Sequence, residues 1–266
     1  MSAVPAAVRA ELTKIRTLPR VWIATGVVLA LHVLVLMQSA RLNAEAVAGI
    51  TPGGVIEIFI GAPQPAAEAI LGLLAASSLQ MGLLAPVLAA MIAGQEFRSH
   101  QLGVTVLAMP RRGRLIAAKA LATAAYLLLA AVLIAGISTA FMYAAVKDWN
   151  PGLLVTGAAF LGHGKFVAFA VLSGLTGFGI TLIARSTLVG VIVTIAQIAL
   201  TMTQALAGAA PALDALLPVS AARNLLLDPG INRLTAGPGH ALLVLIAWAV
   251  VATAAAGITL SRRDAR

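Results

Sequence analysis

Unbroken apolar runs of about twenty residues recur along this chain, each long enough to cross a bilayer as helix, and they limit its folding more than any other feature. Within a hydrocarbon layer ~30 Å thick every backbone N–H and C=O has to be paired inside the chain, which leaves helices or closed barrels. The runs are rich in Ala and Leu and lack the apolar–polar alternation of barrel strands, so helices are expected. Composition points the same way. The chain is 61% hydrophobic and 10% charged, with a mean hydropathy of +1.00, whereas soluble domains carry about 25% charged residues. The expected fold is an all-α integral membrane protein, one transmembrane domain over residues 1–266 with six spans at about 21–38, 69–93, 116–146, 166–184, 187–207 and 241–260. The third run exceeds a simple crossing and should tilt or protrude. Only Arg185 and Ser186 separate the fourth and fifth, as in a tight helical hairpin.

Charge sets the orientation. Of the eighteen Lys and Arg residues, thirteen fall on one side: Arg9, Lys14, Arg16 and Arg20; Arg98, Arg111, Arg112, Arg114 and Lys119; Arg185; and Arg262, Arg263 and Arg266. Glu45, Glu57, Glu68, Asp148, Asp214 and Asp228 lie opposite. Positive loops stay cytoplasmic, so both termini are expected inside a plasma-membrane protein. The net charge of +9 is then explained by basic loops at an anionic membrane face, and no nucleic-acid partner is expected. Ala44-Glu45-Ala46 has the form of a signal-peptide cleavage site, but the first run is longer than a signal core and ends before it, so an uncleaved span is expected.

Before the first span, residues 1–20 hold Val8, Leu12, Ile15 and Leu18 at helical spacing, with the basic residues largely on other faces and Pro19 as interruption. This is an amphipathic interfacial helix, either a plain anchor or one that also touches a partner. On the outer side, residues 41–68 are rich in turn residues, and 208–240 carry short helical pieces near 212–217 and 221–227 between prolines.

Catalytic signatures are scarce. The chain has no cysteine, which removes disulfides, thiolate metal sites and cysteine catalysis. Gly157 to Lys165 superficially resembles a phosphate loop, but Lys165 is misplaced, Phe166 stands where a hydroxyl is needed, and the segment is expected in an outer loop. His32, His100, His163 and His240 show no metal-ligand spacing. His32 falls inside the first span, where a neutral, hydrogen-bonded imidazole is favoured over a proton relay. No metal and no cofactor are expected in the chain. Uncharged polar residues say more. In the fifth span Thr187, Thr194, Gln197, Thr201 and Gln204 share one helical face, and Ser77, Ser78 and Gln80 form a patch on the second, where Pro86 permits a kink. Such residues either bind helices to each other or face a substrate pathway.

The most specific stretch is the elbow 94–115. It leaves the second span with Glu96-Phe97-Arg98, turns at Met109-Pro110 and re-enters behind Arg111, Arg112 and Arg114. Charged ends and an apolar face suit it to docking a soluble partner, the alternative being an ordinary basic loop. Glu96-Phe97-Arg98, Thr105-x-Leu107, Pro110-Arg111-Arg112 and Ala118-Lys119 resemble the permease subunits of type-2 ABC exporters. The likeness extends to Glu11-Leu12-x-Lys14, Leu217-Pro218 and the Arg262-Arg263-Asp264 tail, although Gln101-Leu102-Gly103 stands where these permeases commonly have Gly-Thr. The resemblance implies a chain without an ATP site, not itself an enzyme. It pairs with a second permease, the same or homologous, and rests on two ATPase subunits that bind ATP and Mg. Coupling is then implied for Glu96, Phe97, Arg98, Gln101, Leu102, Thr105, Pro110 and Arg111, supported by Glu11, Leu12, Lys14 and Ile15 of the interfacial helix. Gln80, Thr194, Gln197, Thr201 and Gln204 are implied at the substrate pathway or dimer interface. A drug, lipid or peptide would be the cargo. A non-transporting scaffold or sensor that recruits a cytoplasmic partner is the alternative.

Overall fold

The computed structural model describes residues 3–57, 63–98, 112–227 and 232–262. Helix α1 (Ala3–Arg16) ends before Pro19, which opens α2 (Pro19–Ala48) at a position where its missing N–H costs nothing. A two-stranded antiparallel ribbon follows, β1 (Val55–Ile56) against β2 (Gln64–Pro65). Then come α3 (Ala66–Gly82), α4 (Ala85–Arg98) and α5 (Arg112–Val146), and a 3-10 turn at Pro151–Val155 leads into α6 (Gly157–Ala184). Helix α7 (Thr187–Met202) is followed by the short pieces α8 (Ala205–Ala209), α9 (Pro211–Asp214) and α10 (Pro218–Leu226), and α11 (Pro238–Arg262) completes the bundle.

Five helices are long and apolar enough to cross a membrane: α2, the α3–α4 pair, α5, α6 and α11. Their exteriors suit hydrocarbon rather than water, since Leu129, Leu243 and Val251 are all more than half exposed. The fifth apolar run behaves differently. Helix α7 has 16 residues, about 24 Å of rise, less than the ~30 Å of a hydrocarbon core.

Several sequence expectations shift. The second span breaks at Leu83–Leu84, just before Pro86, as the proline pattern suggested. Helices α2, α5, α6 and α11 overrun their apolar runs. Most notably α6 starts at Gly157, where the Thr156 side chain accepts from the Ala159 N–H. Gly162, His163, Gly164 and Lys165 therefore lie within a helix and not in an outer loop, which removes any phosphate-loop geometry. Gln204 also departs from expectation. It sits beyond the end of α7 with φ of 51°, exposed, so it leaves the polar face that Thr194, Gln197 and Thr201 share.

Helix α6 is the hub, packed against α3, α4, α5, α7, α10 and α11. Its glycines make this possible. A Cβ on Gly177 would lie 2.7 Å from Pro86 of α4, one on Gly179 would lie 2.6 Å from the Ala252 backbone of α11, and one on Gly174 would overlap Leu127 of α5. Around it, polar contacts join the other helices. The buried His32 of α2 has Nε2 within 3.2 Å of the Ile134 carbonyl and 3.0 Å of Ser138 Oγ, and Ser78 of α3 donates to Ser138 at 2.9 Å. The hydroxyls of Thr25 and Tyr126 bond α2 to α5.

Because Ala252 offers backbone at the Gly179 contact, little can give way. Gly179→Ala and Gly177→Ala are each expected to destabilise the chain by about 1–3 kcal/mol through overpacking. Gly136, whose Cβ would meet nothing within 4 Å, serves as the control, and Gly136→Ala should be neutral or stabilising. Thermal unfolding in one detergent measures all three.

Candidate functional site

Four charged side chains from three separated segments converge at one end of the bundle. Glu11 and Lys14 are one helical turn apart on α1, Glu96 lies in the last turn of α4, and Lys119 lies two turns into α5. Lys119 Nζ donates to Glu96 Oε1 at 2.8 Å and to Glu11 Oε2 at 2.9 Å. Lys14 Nζ lies 3.1 Å from the same Glu96 oxygen and 3.3 Å from Glu11 Oε1. The cluster balances two carboxylates against two ammonium groups. Both Glu96 and Lys119 are 5% exposed, whereas the Lys14 side chain is 37% exposed.

Desolvation disfavours the Lys14 ammonium, but the carboxylates of Glu96 and Glu11 outweigh it and hold its pKa above the ordinary lysine value. A lysine raised in this way contributes stability throughout the neutral range and loses it only as pH climbs through the raised value. The cluster borders a cavity of about 140 Å³ that Ile92, Thr123 and Phe178 also line. Hydrophobic contacts complete the clamp. Ile15 is 4% exposed, and Leu12 and Phe97 pack against the core.

Other contacts gather at the same end. Arg112 Nη1 at the start of α5 donates to the carbonyls of Leu260 at 2.6 Å and Ser261 at 3.0 Å, the last turn of α11. Gly94 of α4 meets Thr187, so the α6–α7 turn with Arg185 lies beside the clamp. Arg9, Lys14, Arg16, Arg20, Arg112, Arg114, Lys119, Arg185 and Arg262 therefore sit in or beside element ends that cluster together. The charge pattern read from the sequence is a feature of the folded bundle.

The expected coupling residues divide in two. Glu11, Lys14 and Glu96 meet directly, with Leu12, Ile15 and Phe97 packed beside them. Arg98 ends α4, and its side chain lies outside the described residues, as do Gln101, Leu102, Thr105, Pro110 and Arg111 in full. The pathway residues are more scattered. Gln80 is exposed on α3, Thr194 is buried with its hydroxyl donated to the Gly190 carbonyl at 2.9 Å, and Gln197 lines a narrow crevice with Pro86 and Pro218. Thr201 reaches Ser220 at 3.4 Å, and Gln204 faces away.

Sequence reasoning left two groups unassigned. Lys119 enters the sequence reading only through its charge and the Ala118-Lys119 resemblance, with no role at the site, yet it is the buried centre of the clamp. At the opposite end Asp214 is 1% exposed and accepts from Ser220 Oγ and Thr235 Oγ1, each at 2.8 Å, and from Arg223 Nη2. Asn224 holds Thr235 through two bonds of 3.1 Å. No spacing rule links Asp214, Arg223 and Thr235, because turns and not one helix bring them together. Among the described residues no group of three or more His, Cys, Asp or Glu is arranged to hold a metal.

A scan against protein-family models finds no match, and no curated protein matches the chain in sequence. What the site can do has to follow from its own residues. It is a charge-neutral, desolvated clamp that ties a peripheral helix to both ends of the segment 99–111.

Removing one member of a buried ion pair strands its partners and costs about 3–5 kcal/mol. Lys119→Met is therefore expected to lower stability by about that much, and Lys14→Met, at the solvent edge, by no more than ~1 kcal/mol. Unfolding of each variant in detergent, read by tryptophan fluorescence, separates the two; equal losses would contradict the burial argument.

Proposed function

We propose that this chain is the membrane permease subunit of an ATP-driven type-2 ABC exporter. In this reading six spans, α7 included, carry both termini at the cytoplasmic face of the plasma membrane, and a second permease completes the pathway. Separate ATPase subunits bind ATP and Mg and press on the segment 99–111. The observation that carries the reading is the clamp: α1, α4 and α5 are tied by Glu11, Lys14, Glu96 and Lys119 where that segment leaves and rejoins the bundle. A push on the segment is transmitted to two spans and the peripheral helix together, because buried ion pairs yield less readily than side chains in water.

The side on which basic residues gather supports the orientation, since Lys and Arg are retained on the cytoplasmic side. The contact between α4 and α7 supports a wall built from the second and fifth spans, with Gln197 in a narrow crevice that α6 largely lines. The cargo would be a drug, lipid or peptide.

One observation favours a second reading, a scaffold or sensor that recruits a cytoplasmic partner. Thr194 satisfies itself on its own helix and Gln204 faces away, so the polar lining of a pathway is thin.

Two measurements decide. Purification from the native membrane should retain an ATPase subunit, and the chain alone should not hydrolyse ATP. Within the complex, Lys14→Gln should cut cargo-stimulated ATPase roughly tenfold, the equivalent of ~1.4 kcal/mol, while the subunits still copurify. A scaffold predicts instead that Gln197→Leu leaves every transport readout unchanged, and copurification without any ATPase would remove the exporter reading.

A further inference from the structure

A second feature of the basic end has no part in the clamp. Helices α5, α6 and α11 leave an apolar groove of about 660 Å³ between them, open to the exterior of the bundle. Small residues create it: Ala117 and Ala120 on α5 face Ala254 and Gly257 on α11, and Leu172 and Leu175 of α6 form the floor. A Cβ on Gly113 or on Gly257 would meet nothing within 4 Å.

Its length is informative. Along α11 the groove runs from Ala249 to Ser261, twelve residue steps or about 18 Å of helix rise. That is slightly more than one leaflet of a hydrocarbon core ~30 Å thick, the reach of one acyl chain. Its polar end is equally specific. Gly113 and Ser261 line that end, flanked in sequence by Arg114 and Arg262, both exposed and neither in an ion pair among the described residues. Arg112 bridges to Leu260 and Ser261 there and holds α5 and α11 at a fixed separation. An apolar slot of leaflet length whose end residues Gly113 and Ser261 are each followed in sequence by an exposed arginine matches a lipid whose phosphate carries net negative charge.

We infer that the groove between α5, α6 and α11 is a binding site for an anionic phospholipid, with an acyl chain along Ala117 and Gly257 and the phosphate held by Arg114 and Arg262. The site requires only that the chain lies in a bilayer; it does not depend on what the permease carries or whether it carries anything.

The full chain in detergent, titrated with phosphatidylglycerol or with phosphatidylcholine of the same acyl chains and read by native mass spectrometry, tests this directly. Retention of phosphatidylglycerol should exceed that of phosphatidylcholine. Arg114→Gln and Arg262→Gln should each weaken it roughly fivefold, the factor for ~1 kcal/mol per basic residue at a membrane surface. Gly257→Trp, which fills the slot, should abolish the preference, and Gly113→Trp on the opposite wall repeats the test should the first variant fold poorly. Soluble glycerophosphate should not displace the lipid. The inference is overturned if the arginine variants lose lipid while both tryptophan variants keep it, since that is surface attraction alone. Equal retention of the two lipids overturns it, as does displacement by glycerophosphate. A tryptophan variant that changes the oligomeric mass and not the lipid content would assign the groove to a second copy of the chain.

Discussion

In apolar surroundings helices gain little by hiding apolar surface from one another, so close backbone approach and hydrogen bonds have to hold them. Helix α6 is where this constraint is met. At ~100° per residue, Gly174, Gly177 and Gly179 point in three different directions, which is why each meets a different neighbour. Leu127, Pro86 and Ala252 occupy the space that side chains would otherwise fill, and α5, α4 and α11 close on one axis. The placing of every other element follows from that approach. The break at Leu83–Leu84 brings Pro86 against α6, and α4 in turn carries Glu96 to the basic end.

The interior and the ends of the bundle use different chemistry. Midway along, contacts are neutral: His32 with Ser138 and Ser78, Thr25 with Tyr126, and Thr139 with His163 at 3.1 Å. Interhelical bonds of this kind contribute about 0.6 kcal/mol on average in membranes, so they select a register more than they supply stability. Among the described residues the buried ions lie toward the two ends, each with a counter-ion: Lys119 with Glu96 and Glu11 at one, Asp214 with Arg223 at the other. A charge at mid-depth would have been costly, and the unpaired alternatives at the ends nearly as much.

Much of this was legible in the sequence, and the reasons for the misses are specific. The apolar runs located the long helices because bilayer thickness imposes a length on them. They did not locate the helix ends, which depend on local bonds. Helix α2 continues to Ala48 with Arg41 and Glu45 paired at 2.8 Å, and α6 begins at the Thr156 cap. Gln204 was assigned to a helical face by assuming that α7 continues, whereas the chain turns at a left-handed residue. The clamp was half visible. Glu11, Lys14 and Glu96 stand out in the sequence, but Lys119, the partner of both carboxylates, lies 108 residues from Glu11, a distance at which periodicity carries no information. Asp214 and Arg223, only nine residues apart, are hidden for a different reason, their meeting set by turns between short helices.

The first turns of α5 show how one segment serves two surroundings. Lys119 and Arg114 are five residues apart, about 140° around the helix, so one points into the bundle and the other away from it. The inner face is fixed by carboxylates from α1 and α4 and is 5% exposed at Lys119. The outer face carries Gly113 and Ala117 beside an open groove and leaves Arg114 exposed. A shift of α5 along its axis would move Lys119 and Arg114 together, since both sit on one helix whose two faces are held by different contacts.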